Sequence, residues 1–167
     1  MTEQQVAFFR NLNLGQGLSP RREQLLAAFE RAGAPGAMSF QVNGTVAFDP
    51  GDSEPQAVGN AAVAALTSMT GYAEVAVVRS VAELRMLDLT AGDEVAFFDG
   101  PDAFPEALPW TDPRGDLILV HATHRLAIAR NSLERRSGAT RSLERLLGVP
   151  VTSRATSTIA RLLVRMD

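Results

Sequence analysis

An α+β protein, with a ferredoxin-like β-α-β-β-α-β first half and a smaller α+β C-terminal part, is the fold class that this 167-residue sequence predicts. Three observations carry the prediction. Short apolar runs of strand length alternate with stretches whose apolar residues recur at three- and four-residue steps. Gly, Pro and one Asn-Gly pair fall where turns and helix ends belong. Over residues 1–80 the elements follow an order that puts two helices on one face of an antiparallel sheet.

The first strand is Val6-Ala7-Phe8-Phe9, short and apolar throughout. Ser19-Pro20 then supplies a helix start, because serine can cap free N–H groups and proline fits the first helical position. Leu25, Leu26 and Phe29 form the apolar stripe of that helix, and Gly33 ends it. Strands are expected over 37–42 and 45–48, joined by Asn43-Gly44, a pair that tolerates the positive φ of a two-residue hairpin. Met38, Phe40 and Phe48 on these strands are expected in the core. A second helix follows Pro55, with Val58, Ala61, Ala65, Leu66 and Met69 on one face and Gly71 closing it. The fourth strand is expected over 74–78.

Residues 81–167 form the second part. A short helix is expected over 81–89, a buried strand over 94–98, and a long Asp-, Pro- and Gly-rich loop over 99–115. A strand pair is expected over 116–121 and 125–129. Helical segments follow near 132–136 and over 140–147, and a last helix opens at Thr152 with Ile159, Leu162, Leu163 and Met166 on one face.

Composition removes several chemistries. There is no cysteine, which excludes disulfides, thiolate metal sites and cysteine nucleophiles. All 16 basic residues are arginine, which excludes Schiff-base and P-loop lysine chemistry. The polar N-terminus does not read as a signal peptide, and the apolar runs fall short of the about 20 residues that a spanning helix needs. A cytoplasmic location and no membrane association are therefore expected. No nucleophile elbow, P-loop, zinc-protease or dinucleotide fingerprint occurs.

The net charge of -3 conceals an asymmetry. Residues 1–124 carry 7 Arg against 16 Asp and Glu, a balance of -9, while residues 125–167 carry 9 against 3, a balance of +6. A basic end on an acidic body can attract anions; it can equally be a set of solvated helix faces.

Two stretches resemble a known family. The opening Phe8-Phe9-Arg10-Asn11-Leu12-Asn13-Leu14-Gly15-Gln16 follows a pattern F-L-R-G-I-N-V-G-G, matching at Arg10, Asn13 and Gly15. Val42-Asn43-Gly44-Thr45-Val46-Ala47-Phe48 follows Q-S-G-N-V-V-F, matching at Gly44 and Phe48. Near the end, Thr152, Arg154, Thr158 and Leu162 match T-x-R-N-x-N-T-x-x-x-L, with Ala155 and Ser157 in place of two asparagines. In order and spacing the chain resembles the bacterial domain of unknown function 1697 family, as a divergent member. The resemblance implies a ferredoxin-like first half and a smaller C-terminal part, and supplies no reaction.

The candidate ligand-binding residues are Arg10, Asn13, Thr152, Arg154 and Thr158. Hydroxyls beside an arginine at a helix start would offer N–H, O–H and guanidinium donors to phosphate or carboxylate; ordinary helix capping is the other reading. Asn13 and Gly15 also suit a tight turn. If Arg10 and Arg154 share a site, an anion is expected between them. His121 and His124, three apart on a strand, point to opposite faces and make poor joint ligands, so no metal and no cofactor are expected. Non-catalytic binding of an anionic small ligand, or weakly of nucleic-acid backbone, through the Arg-rich C-terminal part is the leading expectation. An enzyme acting on a phosphorylated or carboxylated metabolite, with His121 or His124 as acid/base, and a homo-oligomeric interaction module both stay open. The sequence leaves catalytic residues and oligomeric state unassigned.

Overall fold

The computed structural model describes residues 2–115, 117–131 and 138–167. It is a mixed α+β structure with two antiparallel sheets, and the chain divides into two compact units, Met1–Met86 and Leu87–Asp167. No helix among the described residues is long and apolar enough to cross a membrane. The helix expected near 132–136 lies outside the described residues.

The first unit runs β1 (Gln5–Phe9), α1 (Arg22–Arg31), β2 (Met38–Phe40), β3 (Thr45–Phe48), α2 (Pro55–Thr70), β4 (Ala76–Ser80) and α3 (Val81–Arg85). Its four strands lie in the order β2-β3-β1-β4, every neighbour antiparallel. Thus β1 is central and the β-α-β-β-α-β order expected from the sequence is present. Ala7 and Phe9 project into a core with Leu25 and Phe29 of α1 and Val58, Ala62 and Leu66 of α2. The rings of Phe9 and Phe29 lie 5.9 Å apart edge to face, and those of Phe29 and Phe48 5.1 Å apart. The unit continues past residue 80 to take in α3, whose Val81 N–H donates to the Gln4 carbonyl.

Local chemistry shifts several boundaries. Helix α1 starts at Arg22 rather than at Ser19-Pro20, because the Pro20 carbonyl accepts the Gly15 N–H and Gln24 reaches back to the Arg21 N–H. The β2–β3 connection is a four-residue turn rather than a two-residue Asn-Gly hairpin: positive φ occurs at Gln41 and Gly44, not at Asn43. Gly44 is held there by its carbonyl, which accepts the Phe9 N–H at 2.8 Å. Phe40 and Met38, on an edge strand, are half-buried rather than core. Helix α2 follows its signals closely, with the Glu54 carboxylate capping Gln56 and Ala57 N–H, Pro55 in the first turn and left-handed Gly71 at the end.

The second unit runs β5 (Glu94–Phe97), β6 (Trp110–Thr111), β7 (Leu117–Ala122), β8 (Leu126–Asn131), α4 (Ala139–Leu147), β9 (Thr152–Ala155) and α5 (Thr156–Arg165). Its strands lie in the order β6-β7-β8-β5-β9, again antiparallel. Ala139 and Leu143 of α4 pack with Ala96, Leu117, Leu119, Ala127 and Ala129 of the sheet. Two strands are absent from the sequence reading. Trp110–Thr111 pairs with β7 from within the expected loop, and Thr152–Ala155 is a strand rather than the opening of the last helix. Left-handed Gly148 stops α4, and the next residues add to the free edge of β5 before α5 begins at Thr156.

Candidate functional site

The residues singled out in the sequence are divided between the two units. In the first unit, Arg10 Nη1 donates to Glu74 Oε2 at 2.6 Å, and Asn11 Nδ2 to Glu74 Oε1 at 3.2 Å. Asn13 is exposed in the β1–α1 loop. In the second unit, Thr152 and Arg154 project from the same face of β9, with Arg154 Nη1 donating to Thr152 Oγ1 at 2.9 Å and to the Ser153 carbonyl at 2.8 Å. Thr152, Arg154 and Thr158 are all buried. Thr152 and Arg154 stand on β9 rather than at a helix start, while Thr158 lies in the first turn of α5, which opens at Thr156, whose N–H and hydroxyl both donate to the Asp93 carbonyl.

A polar cluster surrounds the buried Glu94 carboxylate on the other face of the same strand pair. Its oxygens accept from the Ser153 hydroxyl and from Asn131 Nδ2, and Ser153 also meets Thr140 Oγ1 at 3.0 Å. This cluster answers its carboxylate from within. His121 and His124 are exposed at the β7–β8 hairpin, and no group of three or more His, Asp or Glu among the described residues could hold a metal.

An arrangement open to a ligand is a pocket of about 260 Å³ in the second unit, lined by Trp110, Asp112, Pro113, Arg114, Ser142, Arg145 and Leu146. Each wall follows from local sequence. Asp112-Pro113-Arg114-Gly115 forms a tight turn: the Gly115 N–H donates to the Asp112 carbonyl at 2.8 Å, with Gly115 at φ +70. Aspartate first and proline second are the residues such a turn favours. The Asp112 side chain folds back so that Oδ2 accepts the Arg114 N–H at 3.2 Å, and the Asp112 N–H donates to Leu117 O. That turn brings the carboxylate inward beside Trp110. On the opposite wall, Ser142, Arg145 and Leu146 occupy positions i, i+3 and i+4 of α4 and so share one helix face.

Charge in the pocket is graded with depth. Asp112 is 3% exposed, whereas Arg145 is 45% exposed and stands at the mouth. Arg145 Nη2 lies 3.7 Å from Asp112 Oδ1, an ion pair too long for a hydrogen bond, and 3.3 Å from Ser142 Oγ. Trp110, Pro113 and Leu146 provide apolar surface. A concave, mostly apolar site with a few convergent polar groups is what small-molecule sites look like. Sequence reasoning missed Trp110, Asp112, Arg114, Ser142 and Arg145 as a set. Two signals were available, the Asp-Pro-Arg-Gly turn beside the sole tryptophan and the i, i+3, i+4 spacing on α4.

The family model described as a protein of unknown function (DUF1697) matches residues 1–91, which ends before the pocket. No curated protein matches the chain. A solved structure similar to the whole chain is that of the conserved bacterial protein SP0830 from Streptococcus pneumoniae, at 15% identity and a TM-score of 0.61, covering 99% of each chain. At that identity the likeness speaks for the fold alone. With more than half its length matched by the family model, the chain belongs to the DUF1697 family.

Proposed function

We propose that this protein binds a small anionic ligand with an apolar body, without chemical turnover, in the pocket of the second unit. The observation that carries the reading is Arg145. Its guanidinium stands at the mouth of an apolar recess, held among the described residues by long contacts to Asp112 and Ser142. A guanidinium so placed can offer paired N–H donors to a carboxylate or phosphate. Arg114, exposed on the neighbouring turn, adds positive charge at the rim. The binding residues are thus Arg145 and Arg114 for the anion, with Trp110, Pro113 and Leu146 for the apolar body. A concave recess suits a compact ligand better than a nucleic-acid backbone. The same reading takes the first unit as ferredoxin-like on its strand order, and the protein as cytoplasmic on its lack of cysteine.

Trp110 is the only tryptophan, so fluorescence excited selectively at tryptophan reports on this pocket. Titration with 4-methylpentanoate should give a saturable change at millimolar concentration. The uncharged isostere 4-methylpentanamide should bind about tenfold more weakly, since a charge-assisted hydrogen bond contributes about 1.5–3 kcal/mol. Arg145→Gln should erase that difference. A silent carboxylate, or an amide that binds equally well to the wild type, overturns the reading.

A further inference from the structure

We infer that the ligand of this pocket is a zwitterion of amino-acid type, carrying an ammonium and a carboxylate on one carbon beside an apolar side chain. The inference rests on the anion reading above and follows from what anion binding would do to Asp112. Among the described residues, Arg145 is the cationic side chain paired with this buried carboxylate, at 3.7 Å, and Asp112 Oδ2 accepts only the Arg114 backbone N–H besides. A ligand carboxylate that draws the guanidinium outward strips Asp112 of its counter-charge. A buried carboxylate left without a partner is strongly unfavourable. A simple anion therefore binds here more weakly than a ligand that also restores the counter-charge of Asp112.

A zwitterion removes the conflict by exchange of partners. Its carboxylate takes the half-exposed Arg145 at the mouth, and its ammonium replaces Arg145 beside Asp112 Oδ1 at the floor, from which the guanidinium stands 3.7 Å away, beyond hydrogen-bond distance. An ammonium carries three donors, so the Ser142 hydroxyl, buried and lining the same recess, can accept a second. The apolar side chain then lies against Trp110, Pro113 and Leu146. The cavity, about 260 Å³, is at the small end of ligand sites, which suits a single free amino acid.

The test is a set of isosteres titrated against wild-type protein by Trp110 fluorescence: leucine, 2-hydroxy-4-methylpentanoate, 4-methylpentanoate and leucinamide. Leucine should bind at least about tenfold more tightly than each of the others. Asp112→Asn should remove the advantage of leucine over the hydroxy acid. Equal affinity of leucine, the hydroxy acid and 4-methylpentanoate overturns the zwitterion and leaves the anion reading in place. Leucinamide binding as well as leucine overturns both, as does silence from all four. The wild-type series decides the matter even if Asp112→Asn fails to fold.

Discussion

In the first unit Arg10 is met by Glu74 at 2.6 Å, and Asn11 bonds the other oxygen of the same carboxylate. In the second unit Arg145 reaches its carboxylate only at 3.7 Å, across a recess with an apolar wall. The contrast extends to the backbone. Along β4 the Gln56 side chain of α2 acts like a short piece of strand, its Oε1 accepting the Val78 N–H and its Nε2 donating to the Ala76 carbonyl, both at 3.0 Å. An edge that could recruit another chain is thereby closed. The first unit answers these groups internally, whereas the second keeps donors and an acceptor half-answered around a cavity. Substitutions in the first should cost stability, and those around the pocket should cost binding.

The largest effect expected is at Gly44. Its φ of +70 disfavours any side chain, and a Cβ there would lie 2.8 Å from Phe9 Cβ and 3.0 Å from Leu12 Cβ. Gly44→Ala should lower the unfolding free energy by about 3 kcal/mol, combining a left-handed backbone penalty with overpacking. Gly115 in the second unit has the same φ of +70 and open space around it. Gly115→Ala should therefore cost only about 1 kcal/mol. Urea denaturation of both variants checks the pair, and equal losses would break the comparison.

Next comes Gln56→Leu, which preserves bulk and removes the amide. The Val78 N–H and Ala76 carbonyl belong to buried residues and would lose their partners, for an expected loss of about 2 kcal/mol. A loss below about 0.5 kcal/mol in the same denaturation assay would mean that water takes over the edge. Glu74→Gln should cost less, about 0.5–1 kcal/mol, because the Arg10 and Glu74 side chains keep 20% and 35% of their exposure.

The legibility of the sequence follows the same divide. Strands β1 and β3 and helix α2 carry apolar periodicity, caps and glycine stops that agree with one another, so local chemistry and fold coincide there. The Asn43-Gly44 pair misled because the turn is decided by packing on Phe9 and Leu12, a contact remote in sequence. Strand β9 was illegible for a related reason. Thr152-Ser153-Arg154 is polar and resembles a cap, and only the open edge of β5 makes it a strand. The pocket was half legible. Its turn and its helix face are local signals, but nothing local says that β6 and α4 face each other across a cavity. Arg10, Asn13, Thr152, Arg154 and Thr158 were found by resemblance, a signal that does not separate ligand contacts from buried structural bonds.

The smallest predicted effect compares one exposed carboxylate from each unit. Hydrogen bonds from the Thr2 hydroxyl, and then from the Gly51 N–H, hold Asp49 below the ordinary carboxylate range. The Thr90 hydroxyl, and then the Thr90 N–H, do the same for Asp88. A carboxyl whose pKa is depressed on folding contributes stability that is present above its unfolded pKa and is lost as pH falls through the folded one. Both aspartates should therefore weaken the fold only on acidification below the usual carboxylate range, and only slightly, since solvent screens exposed groups. Thr90→Val removes the leading cause at Asp88 and leaves Asp49 untouched. Carboxyl chemical shifts followed by NMR from neutral to acid pH should show the Asp88 midpoint rising while that of Asp49 stays in place. If both midpoints move, the two sites are coupled through the folding equilibrium, and the local hydrogen bonds are not what sets them.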